Sequence, residues 1–117
     1  MKIIYIISAV AVLTFSCTKA KVSVMADPNC TDTISFAQKV KPIIDQNCST
    51  SGCHDAGSQS AGYDFSTYSN VASNVSKILS TMRSESGYVP MPYGGPQLPD
   101  SIIGYINCWA SQGALNN

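Results

Sequence analysis

Two thiols and one imidazole share a seven-residue stretch, Cys48-Ser49-Thr50-Ser51-Gly52-Cys53-His54. His54 is the only histidine in 117 residues, and the remaining cysteines are Cys17, Cys30 and Cys108. Three chemistries suit such a group. The two thiols could oxidise to a disulfide, which is common in exported proteins. Several cysteines with His54 could hold zinc, as thiolates and imidazole together do. Or the thiols could add across the two vinyl groups of a haem, with the adjacent imidazole bound to the iron.

The order of the residues favours the third. Cys-x-x-Cys-His is a c-type haem attachment pattern, in which the second thioether holds the next residue against the metal. Here four residues separate the cysteines instead of two. Gly52 supplies backbone freedom just before Cys53, so the longer loop can still span two vinyl positions. Attachment through both thiols and attachment through Cys53 alone are both compatible with this gap. In a disulfide the neighbouring histidine would be accidental. Zinc would have to draw ligands from scattered positions instead of two tight pairs. A thioredoxin-like pair needs the two-residue gap and a strand-helix setting, and no alternating strand pattern occurs in the sequence.

The elements that must position these residues read as helices. Ser35 can cap a first helix whose Phe36, Val40, Ile43 and Ile44 fall on one face. Pro42 interrupts it, so a kink or restart is expected there. The helix delivers the chain to Cys48. Residues 49–66 are rich in Ser, Gly and Asp, with Tyr63 and Phe65 as apolar insertions, and read as a loop. A second helix is expected over about 68–84, with Val71, Val75, Ile78, Leu79 and Met82 at helical spacing. Pro90, Pro92, Pro96 and Pro99, with Gly87, Gly94 and Gly95, make 86–99 a structured loop. Asp100 or Ser101 can cap a third helix, whose Ile102, Ile103, Ile106, Trp109 and Ala110 form an apolar face and which Gly113 can stop. Three helices and two long loops make a thin core for a domain of this size. A haem would resolve that. Phe36, Val40, Ile43, Val75, Ile78, Leu79, Ile102, Ile106 and Trp109 are expected to line or back it while also packing as helices.

The segment Phe36-x-x-x-Val40-x-Pro42-Ile43 leading to Asn47-Cys48, the Gly52-Cys53-His54 triplet and the ending Cys108-Trp109-Ala110-Ser-Gln-Gly113-Ala114 resemble small bacterial class I-like cytochromes c. The likeness covers about residues 33–115, and the longer cysteine spacing resembles a variant found in some c-type cytochromes. The resemblance implies an all-α, cytochrome c-like fold of about three helices and long loops around one covalently bound haem c. It implies a non-enzymatic, single-electron carrier. It also implies a ligand methionine in the loop between the haem motif and the last helix. Met91 sits there between Pro90 and Pro92, which hold a stiff backbone able to present its sulfur. Its plainer role is filling a gap in the core. Met82 lies on the apolar stripe of the second helix, where packing is expected, and Met25 lies in the tether. One histidine excludes two-histidine ligation within this chain and leaves no distal acid-base histidine for peroxidase chemistry. A sensor or gas-binding module with an open sixth position, an electron-input subunit of a larger oxidoreductase, and a haem-free, disulfide-linked surface lipoprotein are the alternatives. Arg83 or Lys77 could face the haem propionates, although ordinary surface charge explains both.

The N-terminus bears on location. Lys2 precedes the uncharged, mostly apolar run Ile3–Phe15. That run is shorter than the roughly 20 residues of a membrane-spanning helix and suits a signal peptide. Ser16-Cys17 at its end resembles a bacterial lipoprotein signal, which implies lipid on Cys17. Cleavage after Ala26 and an uncleaved anchor are the alternatives. The expected organisation is a signal peptide over 1–16, a lipidated tether over 17–29 and a haem domain over 30–117. The protein is then exported, periplasmic or held at the cell envelope by its lipid. With Cys17 lipidated and Cys48 and Cys53 on haem, Cys30 and Cys108 are left to pair, and a disulfide is expected between them. The chain carries no formal net charge and no basic run, which argues against a nucleic-acid partner. Redox partner proteins are expected, with the chain a monomer or a subunit of a respiratory complex.

Overall fold

A computed structural model describes residues 30–117. The expected signal peptide, the lipidation at Cys17, the tether and Met25 lie outside the described residues. Three helices, α1 (Lys41–Asn47), α2 (Tyr68–Met82) and α3 (Asp100–Ser111), carry the fold, with a π-helical turn at Phe36–Val40 and a 3-10 turn at Ser60–Gly62. Among the described residues there is no strand, and no helix is long and apolar enough to cross a membrane.

Pro42 explains how the first helix begins. Proline has no N–H to return to the preceding turn and its ring crowds that turn. The backbone answers by widening. The Val40 N–H reaches the Ser35 carbonyl at 3.2 Å, and the Lys41 N–H bonds Phe36, each five residues back. A regular α-helix then starts at Lys41, with Pro42 in its first turn, where a missing donor costs nothing. The donors at the head of this unit are all met. Ser35 Oγ accepts the Gln38 N–H at 3.2 Å, Asn117 Oδ1 accepts the Phe36 N–H at 2.8 Å, and the Asn117 carbonyl accepts the Ala37 N–H at 2.9 Å.

Thr67, in extended conformation, caps α2 by accepting the Asn70 N–H at 3.3 Å. Helix α2 ends at Met82, two residues before the sequence boundary, and Ser84 turns left-handed with φ of 54°. Neither Asp100 nor Ser101 caps α3, contrary to expectation. Pro99 occupies the cap position and Asp100 is already helical. Proline pre-sets the entering backbone, and the Asp100 carboxylate in the first turn meets the positive end of the helix dipole. Gly113, with φ of 97°, ends α3. Its N–H returns to Ala110 at 3.1 Å and that of Ala114 to Trp109 at 2.9 Å, the paired bonds of a Schellman close.

The apolar faces meet in one core of Phe36, Val40, Ile43, Ile44, Phe65, Val71, Ile78, Leu79, Met82, Ile103, Ile106 and Trp109. Met82 is buried there, in the packing role expected of it. The helical faces pack directly on one another in this core, the ordinary helix packing also expected of them. Val75 and Ile102 remain half-buried at its edge. Each large side chain buried here stabilises the fold by about 1.5–3 kcal/mol relative to exposure. Trp109 lies with its ring centroid 5.4 Å from Phe36 and 6.3 Å from Tyr68. Its Nε1–H donates to Leu115 at 2.8 Å, so burying the indole leaves no polar atom unmet.

Cys30 and Cys108 are joined in a disulfide with Cα atoms 5.4 Å apart, linking residues separated by 78 positions. Gln112 adds to this strap. Its Oε1 accepts the Ile34 N–H and its Nε2 donates to the Asp32 carbonyl, both at 2.8 Å. Because the bond closes a long loop in the unfolded chain, replacing both cysteines by serine should lower unfolding stability by about 2–5 kcal/mol. Urea denaturation of the variant against the parent measures this. Ile106→Ala, which opens a cavity at a fully buried site, should cost a similar 2–5 kcal/mol.

Candidate functional site

Helix α1 ends by presenting Cys48. The N–H groups of Cys48 and Ser49 both bond the Ile44 carbonyl at 2.8 Å, which closes the last turn. The chain then doubles back. Cys53 N–H bonds Thr50 at 2.9 Å, and His54 N–H bonds the Cys48 carbonyl at 3.1 Å. Gly52 supports the reversal with φ of 82°, a conformation that a side chain would strain. The four residues between the cysteines are therefore folded into a tight turn. They do not separate the thiols by an extended length of chain.

The following residues brace this turn. Ser58 Oγ accepts the Gly52 N–H at 2.9 Å, Ser60 Oγ donates to the Gly52 carbonyl at 3.1 Å, and the Ser60 N–H bonds Cys53 at 2.9 Å. Hydrogen bonding from Ser58 holds the Asp55 carboxyl below its ordinary range. Phe65, buried in the core, gives its N–H to the His54 carbonyl at 2.7 Å. The serines and glycines of this loop thus serve as internal partners for its backbone.

Cys48 and Cys53 are both unpaired. Cys48 is half-buried against the core and Cys53 is exposed. Burial pushes the Cys48 thiol from 9.0 up to about 11, and the neighbouring Cys53 adds to the rise because two thiolates would repel. At neutral pH Cys48 is therefore a thiol.

The imidazole of His54 is fixed on one side. Its Nδ1 lies 3.2 Å from the Tyr63 carbonyl oxygen. A carbonyl can only accept, so Nδ1 carries the proton, and neutral His54 keeps its lone pair on Nε2. A metal-bound histidine uses this arrangement, one nitrogen donating to a carbonyl and the other left for the ion. The Phe65 ring, 4.8 Å away at 47°, and the Tyr63 ring, 6.2 Å away at 80°, limit its rotation. Two thiols and a free imidazole nitrogen in one braced turn fit covalent haem attachment with axial ligation. They fit zinc poorly. The Cys30–Cys108 disulfide withdraws two thiolates, and among the described residues no three His, Cys, Asp or Glu side chains gather as a metal site.

Met91 belongs to a different support. Its N–H bonds the Thr81 carbonyl at 3.1 Å, which hangs the 86–99 loop from the end of α2. The side chain is half-buried, in a loop without a charged residue, and Tyr93 beside it is 82% exposed. Arg83 and Lys77 have protein partners. Arg83 donates to the buried Asn107 at 2.7 Å and lies 3.8 Å from Glu85, while Lys77 donates to the Tyr63 hydroxyl. Sequence reasoning missed Tyr63 as a partner of His54. A backbone carbonyl leaves no mark in residue type, so no signal was there to find.

At pH 8 in the chain purified without haem, alkylation should reach Cys53 first. Only the thiolate reacts, and a rise from 9.0 to about 11 leaves Cys48 with on the order of 100-fold less of it than an ordinary thiol. Mass-mapped labelling rates check this. The unfolded chain loses the Cys48 proton near 9.0 and the folded chain near 11, so the folded state binds more protons in between. Stability should fall as pH rises through that window, and denaturant midpoints across it measure the fall. Searched against models of protein families, curated proteins and solved structures, the chain matches none.

Proposed function

We propose that this chain is a monohaem c-type cytochrome that passes single electrons between redox partners outside the cytoplasm. The observation that carries the reading is the pair of unpaired thiols, Cys48 and Cys53, in one turn with an imidazole whose Nδ1–H is already committed to Tyr63. In this reading each thiol adds across a vinyl group, its sulfur bonding one carbon and its proton going to the other. No oxidant is required. Cys48 stays protonated until then, which protects it from stray oxidation. His54, through Nε2, and Met91, through its thioether, would hold the iron.

A haem held by these residues would supply one-electron, ferrous–ferric chemistry that needs no bond to the partner. Histidine with methionine raises the reduction potential relative to two nitrogen ligands. The rest of the chain supplies apolar surface. Cys48, Tyr63, Val75, Leu98 and Ile102 are half-buried against the core and offer faces that the core itself does not use. Since Arg83 and Lys77 are engaged by Asn107, Glu85 and Tyr63, neither is assigned to the propionates. The proposal includes export with lipid on Cys17, and proteins as electron donor and acceptor.

The test is expression of the exported chain with c-type haem maturation, followed by haem staining after denaturation and by oxidised and reduced spectra. Covalent haem with a low-spin spectrum is expected. Met91→Ala should keep the covalent haem but turn the iron high-spin and lower its potential. Covalent haem that is high-spin in the parent chain would favour the open-site sensor. Absence of covalent haem would overturn the proposal.

A further inference from the structure

The only described partner of the His54 ring nitrogens is the Tyr63 carbonyl, in a loop whose outer residues lie in solvent. Residues 56–59, 61 and 62 are exposed. Gly62 has φ of 80°, and the space where its Cβ would stand is open. From its own side the loop is fastened around Tyr63 by Ser60 N–H on Cys53 at 2.9 Å, Gly62 N–H on Gln59 at 2.8 Å, Tyr63 N–H on Ser60 at 3.1 Å and Phe65 N–H on His54 at 2.7 Å. A second fastening comes from α2. Lys77 donates to the Tyr63 hydroxyl and places its ammonium 4.6 Å from the centroid of the same ring. Among the described residues Lys77 forms no ion pair, so its charge is spent on Tyr63.

From this chain of contacts we infer that Lys77 is a positioning residue for His54, acting through Tyr63. The ammonium pins the phenol to the middle of a fifteen-residue helix. The pinned residue holds its carbonyl where His54 Nδ1 can donate to it, and the Tyr63 ring stands edge-on at 80° to the imidazole. The direction in which Nε2 points is then set by α2 as well as by the local turn. A supporting hydrogen bond of this kind orients a metal-bound histidine and fixes its tautomer. What the imidazole is positioned for rests on the cytochrome reading, whereas the positioning itself does not.

The test follows the Nδ1 proton of His54 in the full chain by nitrogen-15 NMR at fixed pH, with haem or without it. Lys77→Met keeps the length of the stem but removes the charge and the donor. Exchange of that proton with solvent should become roughly two- to fivefold faster, the factor that an exposed cation–π contact corresponds to. Backbone amides of the core, such as those of Val71 and Ile106, should keep their parental rates. Lys77→Arg should restore slow exchange, because guanidinium also donates to a phenol and stacks on its ring. Tyr63→Leu should reproduce the Lys77→Met effect without touching Lys77. Unchanged His54 exchange in Lys77→Met would overturn the inference, as would equal acceleration of the core amides or failure of Lys77→Arg to rescue. If the chain attaches no haem, the cytochrome reading fails while the exchange measurement still decides the role of Lys77.

Discussion

The packing of Phe36 on Trp109 is the contact on which the placement of everything else depends. Phe36 opens the turn that leads into α1, Trp109 belongs to α3, and Tyr68, 5.1 Å from Phe36, opens α2. Three segments distant in sequence therefore meet at one aromatic cluster. Such rings bury large areas and prefer edge-on or tilted contacts, so they constrain angle as well as distance. Two polar atoms keep the cluster in place. The indole N–H and the Tyr68 hydroxyl, which donates to Ala114 at 2.9 Å, both bond the segment that follows α3. The start of α1 is fixed by this cluster, and Cys48 lies one short helix further on.

From there the geometry is local. The seven residues of α1 are too few for an independently stable helix. Val40, Ile43 and Ile44, all buried, hold it to the core, and the widened turn before Pro42 lets that face point inward. Beyond Cys48 the order comes from hydrogen bonds among Ser49, Gly52, Ser58 and Ser60, with Phe65 as the only buried apolar side chain of the loop. A polar, self-bonded loop can keep thiols and an imidazole near water while the helices behind it stay dry. Cys48 sits at the boundary between the two, which is why its acidity is suppressed while Cys53 lies in solvent.

How much of this could be read beforehand varied with the kind of interaction. The apolar faces of the helices were legible because burial leaves a spacing in the sequence: Val71, Ile78 and Leu79 recur at helical intervals and are all buried. Ser35 and Gly113 were legible because capping and left-handed backbone favour particular residue types. The start of α3 was misread because Pro99, Asp100 and Ser101 can each stand at a helix start, and the proline took the cap position. The widened turn at Phe36–Val40 was anticipated only as a kink, since sequence shows that a proline must be accommodated but not how. The cysteine-histidine stretch was legible as two thiols and an imidazole close together, because residue type and spacing alone give that. The contacts that orient it, from the Tyr63 carbonyl and from Lys77, depend on where the chain folds back.

The disulfide has a mechanical consequence. Cys30 is the first described residue and is bonded to Cys108 in the last turns of α3, while Asp32 and Ile34 are hydrogen-bonded to Gln112 just beyond it. A pull on the chain from the N-terminal side of Cys30 therefore does not reach Ser35 or Phe36 first. The load crosses the covalent bond into α3, whose Ile103, Ile106 and Trp109 are anchored in the core. The turn that leads to Cys48 stays out of the load path, so tension on the N-terminal segment is borne by α3 and the turn that carries Cys48, Cys53 and His54 is spared it.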